Sequence, residues 1–303
     1  MKKLLVSVLL PAHNEEKIIE EPLKRLQKIR REEYKNLEVI VGLDGCTDGT
    51  EKVVKKFPFA KIYKSKKRSG KHLMLKKLYK IARGEIIIIH DADWVLVTNN
   101  NFKNLIKYFE DKRVGGVEDS PTVKLKENDP ILAFGNNFII KWLHEYKVKK
   151  QTQTIDGKLY VKSSRFPFFV NIFRKSALKQ TQVTLCDDGE RTIQIMKNGY
   201  LVAVPPEDDV PFFSIRFSKL SFGTFYRHKI RGYIAKKQVQ KHYKEYNASV
   251  SNFYLPSFLY VIKQLAKVVL GVLFYLFIAG IASISARTKK FSTKEGWKIR
   301  MKR

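Results

Sequence analysis

The chain has 303 residues, 59 Lys and Arg against 29 Asp and Glu, and a formal net charge of +30. Its 44% hydrophobic content excludes a disordered chain, and its length supports one large domain or two smaller ones with a buried core. The charge excludes an ordinary neutral enzyme without a polyanionic partner, and leaves nucleic acid, anionic lipid or phosphorylated substrates as partner classes.

Met1-Lys2-Lys3 followed by Leu4–Leu10 mimics a signal peptide. The apolar run is short, no small-x-small cleavage site follows, and Asn14-Glu15-Glu16 come next, so it reads as a buried first strand. Strands are predicted over Leu4–Leu10, Leu37–Leu43, Ala60–Tyr63 and Glu85–His90, and helices over Glu15–Arg31, Asp48–Phe57, Lys71–Arg83 and Asn101–Asp111. Pro22 breaks the first helix or starts its second part. This alternation, with unbroken apolar strands, predicts an α/β fold with a mostly parallel sheet and helices on both faces. Further on, Gly115-Gly116-Val117 reads as a strand, Pro130–Lys147 as a helix, Phe166–Phe169 as an aromatic loop or strand, and Leu201–Val204 as a strand ended by Pro205-Pro206. Asp187–Asn198 reads as a helix closed by Gly199. Cys46 and Cys186 form neither a disulfide framework nor a zinc motif, which suits a reducing compartment.

The C-terminal part differs in kind. From Val210 to Arg303 there are 19 basic residues and two acidic ones, more than half of the total surplus. Val268–Ala286 is 19 residues without a charge, enough to cross a bilayer core of ~30 Å. Phe253–Lys267 fits an amphipathic helix at a membrane interface, and Arg287–Arg303 carries eight basic residues. The basic tail calls for the cytoplasmic side, and so does a domain using soluble phosphorylated substrates. The segment therefore crosses against the rule, re-enters, or lies in the interface.

Four constellations follow strand ends, where open α/β sheets bind ligands. Pro11-Ala12-His13-Asn14-Glu15-Glu16 offers an Asn/Glu pair that binds a ribose or base, or caps a helix. Asp44-Gly45-Cys46-Thr47-Asp48-Gly49-Thr50 offers Asp44 to a nucleobase, or is an Asp-Gly turn. Asp91-Ala92-Asp93 ends a buried strand, where two acids are costly unless they bind something; a bend there brings both to one Mg²⁺ or Mn²⁺. His90 reads as a supporting core residue. Asp187-Asp188 opens a helix, as caps or as a general base. Gly70-Lys71 at a helix start can meet a phosphate, without the spacing of a Walker loop.

In this order, over Leu4 to Tyr233, these motifs resemble the family 2 glycosyltransferases, which have the GT-A fold. Residues 11–16 look like the family's "PxxNEE". Residues 43–50 look like "DDGSTDGT", with Leu43 for the first Asp and Cys46 for Ser. Ser69-Gly70-Lys71 is similar to the "GK" segment, Ala82–Glu85 to "AxGE", Asp91–Asp93 to the "DAD" metal motif, and Asp187-Asp188 to "ED". The resemblance implies a GT-A domain over residues 1–240, an interface helix with a transmembrane or re-entrant segment over 241–286, and a basic tail over 287–303. It implies that Asp188 is the base of an inverting transfer. Asp93 and Asp91 would hold Mn²⁺ or Mg²⁺. Ala12, Glu15, Asp44, Lys71, Asp91 and Asp187 would line the nucleotide sugar, UDP- or GDP-linked, with mannose or glucose favoured.

The family's processive "QxxRW" motif is missing. Phe225–Tyr233 keeps basic residues, and Arg227 or Arg231 could hold the diphosphate or touch lipid headgroups. The resemblance to the lipid-linked-sugar and cellulose-synthase-like branches implies a polyprenyl or dolichyl acceptor. It also implies an anionic membrane as partner and a catalytic domain facing the cytoplasm. A phosphate acceptor needs no general base and a sugar hydroxyl does, so the acidic pair tilts toward a hydroxyl on a lipid-linked glycan. A dolichyl- or polyprenyl-phosphate monosaccharide synthase is the alternative. A nucleic-acid-binding protein explains the charge, but the basic residues show no known binding module and the charge-free span fits it poorly, so no nucleic acid is expected as partner; a catalytically inactive membrane scaffold with this fold is a third alternative.

Overall fold

The structure, a computed structural model, describes residues 4–119, 144, 148–149, 151–163, 168–178, 184–206, 209–215, 222–244 and 265–287. Strands β1 (Val6–Ala12), β2 (Leu37–Asp44), β3 (Ala60–Ser65) and β4 (Ile86–Ile89) alternate with helices α1 (Glu20–Lys28), α2 (Thr50–Lys55) and α3 (Lys71–Ile81). The four strands lie parallel in the order β3-β2-β1-β4. Their side chains alternate between two cores, as strand geometry requires. Val6, Val8, Leu10, Ile86 and Ile88 face α1 and α2, whereas Leu9, Ile40, Ile87 and Ile89 face α3. Helix α1 starts five residues later than expected, so Pro22 falls in its first turn, where a missing N–H costs nothing. One turn of π-helix, Ile29–Glu33, completes it.

Beyond β4 the sheet is mixed. Strand β9 (Ile172–Arg174) runs antiparallel between β4 and β6 (Val114–Val117). The order then continues through β10 (Leu201–Ala203) to the hairpin of β8 (Lys158–Val161) and β7 (Thr152–Ile155). A second, two-stranded sheet pairs β5 (Trp94–Val97) with β11 (Phe212–Ile215). Helix α4 (Phe102–Tyr108) packs on the first core. Helix α5 (Asp187–Lys197) ends as expected at Gly199, whose φ of 82° is the left-handed value that glycine adopts without strain. The Tyr200 N–H to Ile195 carbonyl and Gly199 N–H to Met196 carbonyl bonds close the cap. The helix expected over Pro130–Lys147 lies almost wholly outside the described residues, as do Phe166 and Pro167.

Helices α6 (Phe222–His242) and α7 (Leu265–Ser285) follow. Among the described residues no helix is long and apolar enough to cross a membrane; the side chains of α7 are described from Val269 onward. The expected span Val268–Ala286 instead forms most of a helix that lies along α6. Ala282 and Ala286 pack on Ile230, Ile234 and Ala235, and the Tyr226 hydroxyl meets Ser285 Oγ at 2.6 Å. The opposite face presents Leu270, Leu273, Phe274, Leu276, Phe277, Ile281 and Ile284 to the exterior. Residues 245–264 and the tail from 288 lie outside the described residues.

Candidate active site

The site is built where β1, β2 and β4 end. The loops after β1 and β2 are tied to each other. Asn14, at a φ of 56° that asparagine tolerates, accepts the Thr47 N–H at 2.8 Å and donates to Thr47 Oγ1 at 3.1 Å. The Glu15 N–H donates to Thr50 Oγ1 at 2.8 Å, the Glu16 N–H to Asp48 at 3.2 Å, and the Gly49 N–H to Glu16 at 3.0 Å. The Cys46 thiol reaches the Ala12 carbonyl at 3.5 Å. Both loop motifs thus do structural work first. Ala12 and Glu15 are buried at this junction.

Asp44 is fully buried, and its carboxylate is occupied by the next loop. Oδ1 accepts the Ser69 N–H at 2.7 Å and the Ser69 hydroxyl at 2.8 Å, and Oδ2 accepts the Gly70 N–H at 2.7 Å. Gly70 has a φ of 95°, strained for any residue with a side chain. Asp44 and Gly70 together therefore fix the direction in which α3 starts, and Lys71 is its first residue.

Lys71 points between two acids from different walls. Its Nζ lies 2.9 Å from Asp91 Oδ1 and 3.0 Å from Asp91 Oδ2, and 3.4 Å from Asp187 Oδ2. Burial opposes its charge, but the carboxylates of Asp187 and Asp91 override that and hold the ammonium above the usual lysine value. Asp91 and Asp93 stand at the corners of a turn after β4, closed by the Trp94 N–H to the Asp91 carbonyl at 3.1 Å. Both are partly exposed. His90 is buried, its Nδ1 is hydrogen-bonded to the Asp91 carbonyl at 2.8 Å, and its ring packs edge-on against Phe213 with the centroids 5.2 Å apart. Among the described residues no group of three His, Cys, Asp or Glu side chains could hold a metal. Two carboxylates suit a hard divalent cation that takes its remaining ligands from phosphate and water.

Asp187 and Asp188 open α5 with opposite surroundings. Asp187 Oδ2 receives Lys71 and the Arg191 guanidinium, 3.0 Å away. Arg191 is the largest fully buried side chain; its Nε donates to the Val170 carbonyl at 2.6 Å and its Nη2 to Asn171 Oδ1. Asn171 is in turn held by Asp119, through its N–H at 3.0 Å and its side-chain amide at 3.4 Å. Burial would raise the Asp187 carboxyl, but Lys71 and Arg191, with Arg231 further off, hold it well below the usual carboxylate range. Asp188 receives the Gly189 N–H at 2.8 Å and the Cys186 thiol at 3.6 Å. Burial and the adjacent Asp187 charge push it up. One of two neighbouring acids is thus held as an anion, and the other has its proton affinity raised.

On α6, Arg227 is exposed, whereas Arg231 is half-buried and its charge reaches Asp187. The structure therefore gathers Lys71, Asp91, Asp187, Asp188 and Arg231 around one cleft. Asp44 stands behind Lys71, and Arg227 is exposed. Sequence reasoning missed Arg191, Asn171 and Asp119. Arg191 carried one signal, its spacing of four from Asp187 on a helix, which puts both on one face.

The family model described as Glycosyl transferase family 2 matches residues 7–181. Among solved structures, the mannosyltransferase PcManGT from Pyrobaculum calidifontis, in complex with GDP-Man and Mn²⁺, is similar with a TM-score of 0.59 at 21% identity. The match covers 96% of this chain and 78% of that one. TarS 1–349 from S. aureus, in complex with UDP-GlcNAc, gives 0.56 at 16% identity over 94% and 76% of the two chains. At these identities the likeness is one of fold. The curated proteins give no match.

Proposed function

For a chain that belongs to glycosyl transferase family 2 and has a GT-A-like α/β fold, we propose an inverting, metal-dependent transfer of a hexose from a nucleotide-diphosphate sugar to a lipid-linked acceptor. The observation that carries the reading is the adjacent acid pair. Asp187 is neutralised by Lys71 and Arg191, and Asp188 is held up in its affinity for a proton beside them. In this reading Asp188 removes the proton of an acceptor hydroxyl. The hydroxyl oxygen attacks the anomeric carbon from the face opposite the leaving group. The bond from that carbon to the diphosphate oxygen breaks, and the nucleoside diphosphate departs. Asp91 and Asp93 would hold Mn²⁺ or Mg²⁺, which supplies positive charge against the leaving diphosphate. Lys71 and Arg231 face the same charge. PcManGT, solved with GDP-Man and Mn²⁺, and TarS, solved with UDP-GlcNAc, make both donor classes worth testing.

The lipid-linked acceptor is supported by the C-terminal region. Seven large apolar side chains of α7 face outward, and the sequence after it carries eight basic residues. That combination suits docking on an anionic, cytoplasm-facing membrane surface. A thermal-shift series with UDP- and GDP-sugars, each with and without Mn²⁺, tests the donor side. Stabilisation by one nucleotide class that requires the metal is expected, and none by either would sink the reading. Labelled donor offered with bare polyprenyl phosphate or with a lipid-linked glycan tests the acceptor. Transfer to bare lipid phosphate would replace the glycan reading with that of a monosaccharide-phospholipid synthase.

A further inference from the structure

Lys71 does more in this geometry than wait for a phosphate. Its ammonium straddles both oxygens of Asp91, at 2.9 and 3.0 Å, which are the oxygens a divalent cation would take. It also reaches Asp187 on the base-bearing helix, at 3.4 Å. Each end of this bridge is braced. Asp44 and the left-handed Gly70 fix the start of α3. Arg191, buried and bonded to Val170 and Asn171, fixes Asp187.

We propose that Lys71 is an internal counter-ion that stands in for the metal in the donor-free protein. It ties Asp91 to Asp187 and makes the cation bind together with a nucleoside diphosphate rather than before it. A cation arriving alone must take Asp91 from an ammonium that has no other full partner, and must then sit beside that like charge. A diphosphate brings anionic oxygens that the ammonium can accept in exchange, so Asp91 is released and Asp187 keeps Arg191. Metal and nucleotide are then positively coupled through one side chain, and the link between the donor wall and the base helix opens only when the donor is present. This rests on the reading of Asp91 and Asp93 as the metal-binding acids.

The test is Mn²⁺ binding to the full chain, followed by the EPR signal of the free ion, with Mn²⁺ alone and with UDP or GDP added. In the unaltered protein Mn²⁺ alone should bind weakly, and the better nucleotide should tighten it by about tenfold or more. Lys71→Met should bind Mn²⁺ alone about tenfold more tightly than the unaltered protein and show a smaller nucleotide effect, the part that remains coming from phosphate oxygens on the metal. Lys71→Gln repeats the comparison should the methionine variant fold poorly by circular dichroism. Lys66→Met removes the same charge from an exposed position of the preceding loop and should change Mn²⁺ affinity less than about twofold. If folded Lys71 variants bind Mn²⁺ alone no more tightly while nucleotide still promotes binding in the unaltered protein, the counter-ion role is overturned and the metal site stands. If Mn²⁺ fails to bind the unaltered protein with either nucleotide, both fall together.

Discussion

At the N-terminal ends of the parallel strands, Glu38 of β2 is buried and meets four donors from three other segments. Ser7 Oγ lies at 2.6 Å, Lys61 Nζ at 2.8 Å, and the Arg83 N–H and Nε at 3.0 Å each. At the C-terminal ends, Asp91 and Asp187 divide one ammonium between them, and Asp188 has a single backbone N–H and a thiol. Both ends carry carboxylates, buried at Glu38 and partly exposed at Asp91, Asp187 and Asp188. What separates them is saturation. The Glu38 oxygens have no capacity left for a ligand, and its partners come from β1, β3 and the loop before β4, so the cluster staples the strands. The acids at the other end keep bonding capacity, and that capacity is what a cation, a diphosphate and a hydroxyl would use.

The contrast can be broken most severely at Asp188. Asp188→Asn should lower transfer by roughly 10²–10⁴-fold while leaving metal-dependent nucleotide binding and the melting temperature near those of the unaltered protein. Labelled-sugar transfer and thermal shift measure the two. Full turnover would remove the base assignment and favour an acceptor that is already an anion. Glu38→Gln should do the reverse. It should cost about 1–3 kcal/mol of stability in chemical denaturation and leave turnover per folded molecule unchanged. A fall in turnover matching that of Asp188→Asn would show that the two ends are not separable. Arg231→Ala should weaken nucleotide binding by about tenfold and Arg227→Ala by less than about twofold, because Arg231 is half-buried with its charge reaching Asp187 and Arg227 is exposed to solvent screening. Equal effects in titration calorimetry would undo that distinction.

The smallest effect is one of pH. Burial opposes ionisation of Glu38, but Lys61, Ser7 and Arg83 override it and hold its carboxyl at about 2, below the ordinary value of 4.5. Its stabilisation is therefore complete above pH 4.5 and declines as the pH falls through that value toward 2. The melting temperature of the unaltered protein should exceed that of Glu38→Gln by a constant margin from pH 7 to 5, and the margin should shrink below that. A margin that grows on acidification would contradict the assignment.

Much of this molecule was legible in the order of its residues. Runs such as Leu4–Leu10 and Glu85–His90 are apolar on both faces, and that pattern alone demands a sheet covered on both sides. The motif acids at the strand ends then located the cleft. Strand β9 was not legible, because Ile172-Phe173-Arg174 is too short to show a period. The β7–β8 hairpin was overlooked, although Asp156-Gly157, with φ of 50° and 75°, is the usual two-residue turn between strands. Residue type also could not reveal what each acid spends its bonds on. Asp44 reads as a ligand for a nucleobase, and the fold uses it to hold Ser69 and Gly70. The apolar segment at 268–286 shows the limit of composition: Ala282 and Ala286 turn one side of it onto α6.

The crossed bonds between the loops after β1 and β2 have a consequence for how the molecule breathes. The amides of Glu15, Glu16, Thr47 and Gly49 lie at the surface rim of the sheet, where exchange with solvent deuterium is ordinarily fast. Here each donates into the other loop. None can open without its counterparts losing theirs, so these four amides should exchange slowly and at a common rate, as one cooperative unit. The rim of the candidate site is then a single rigid edge beside Lys71.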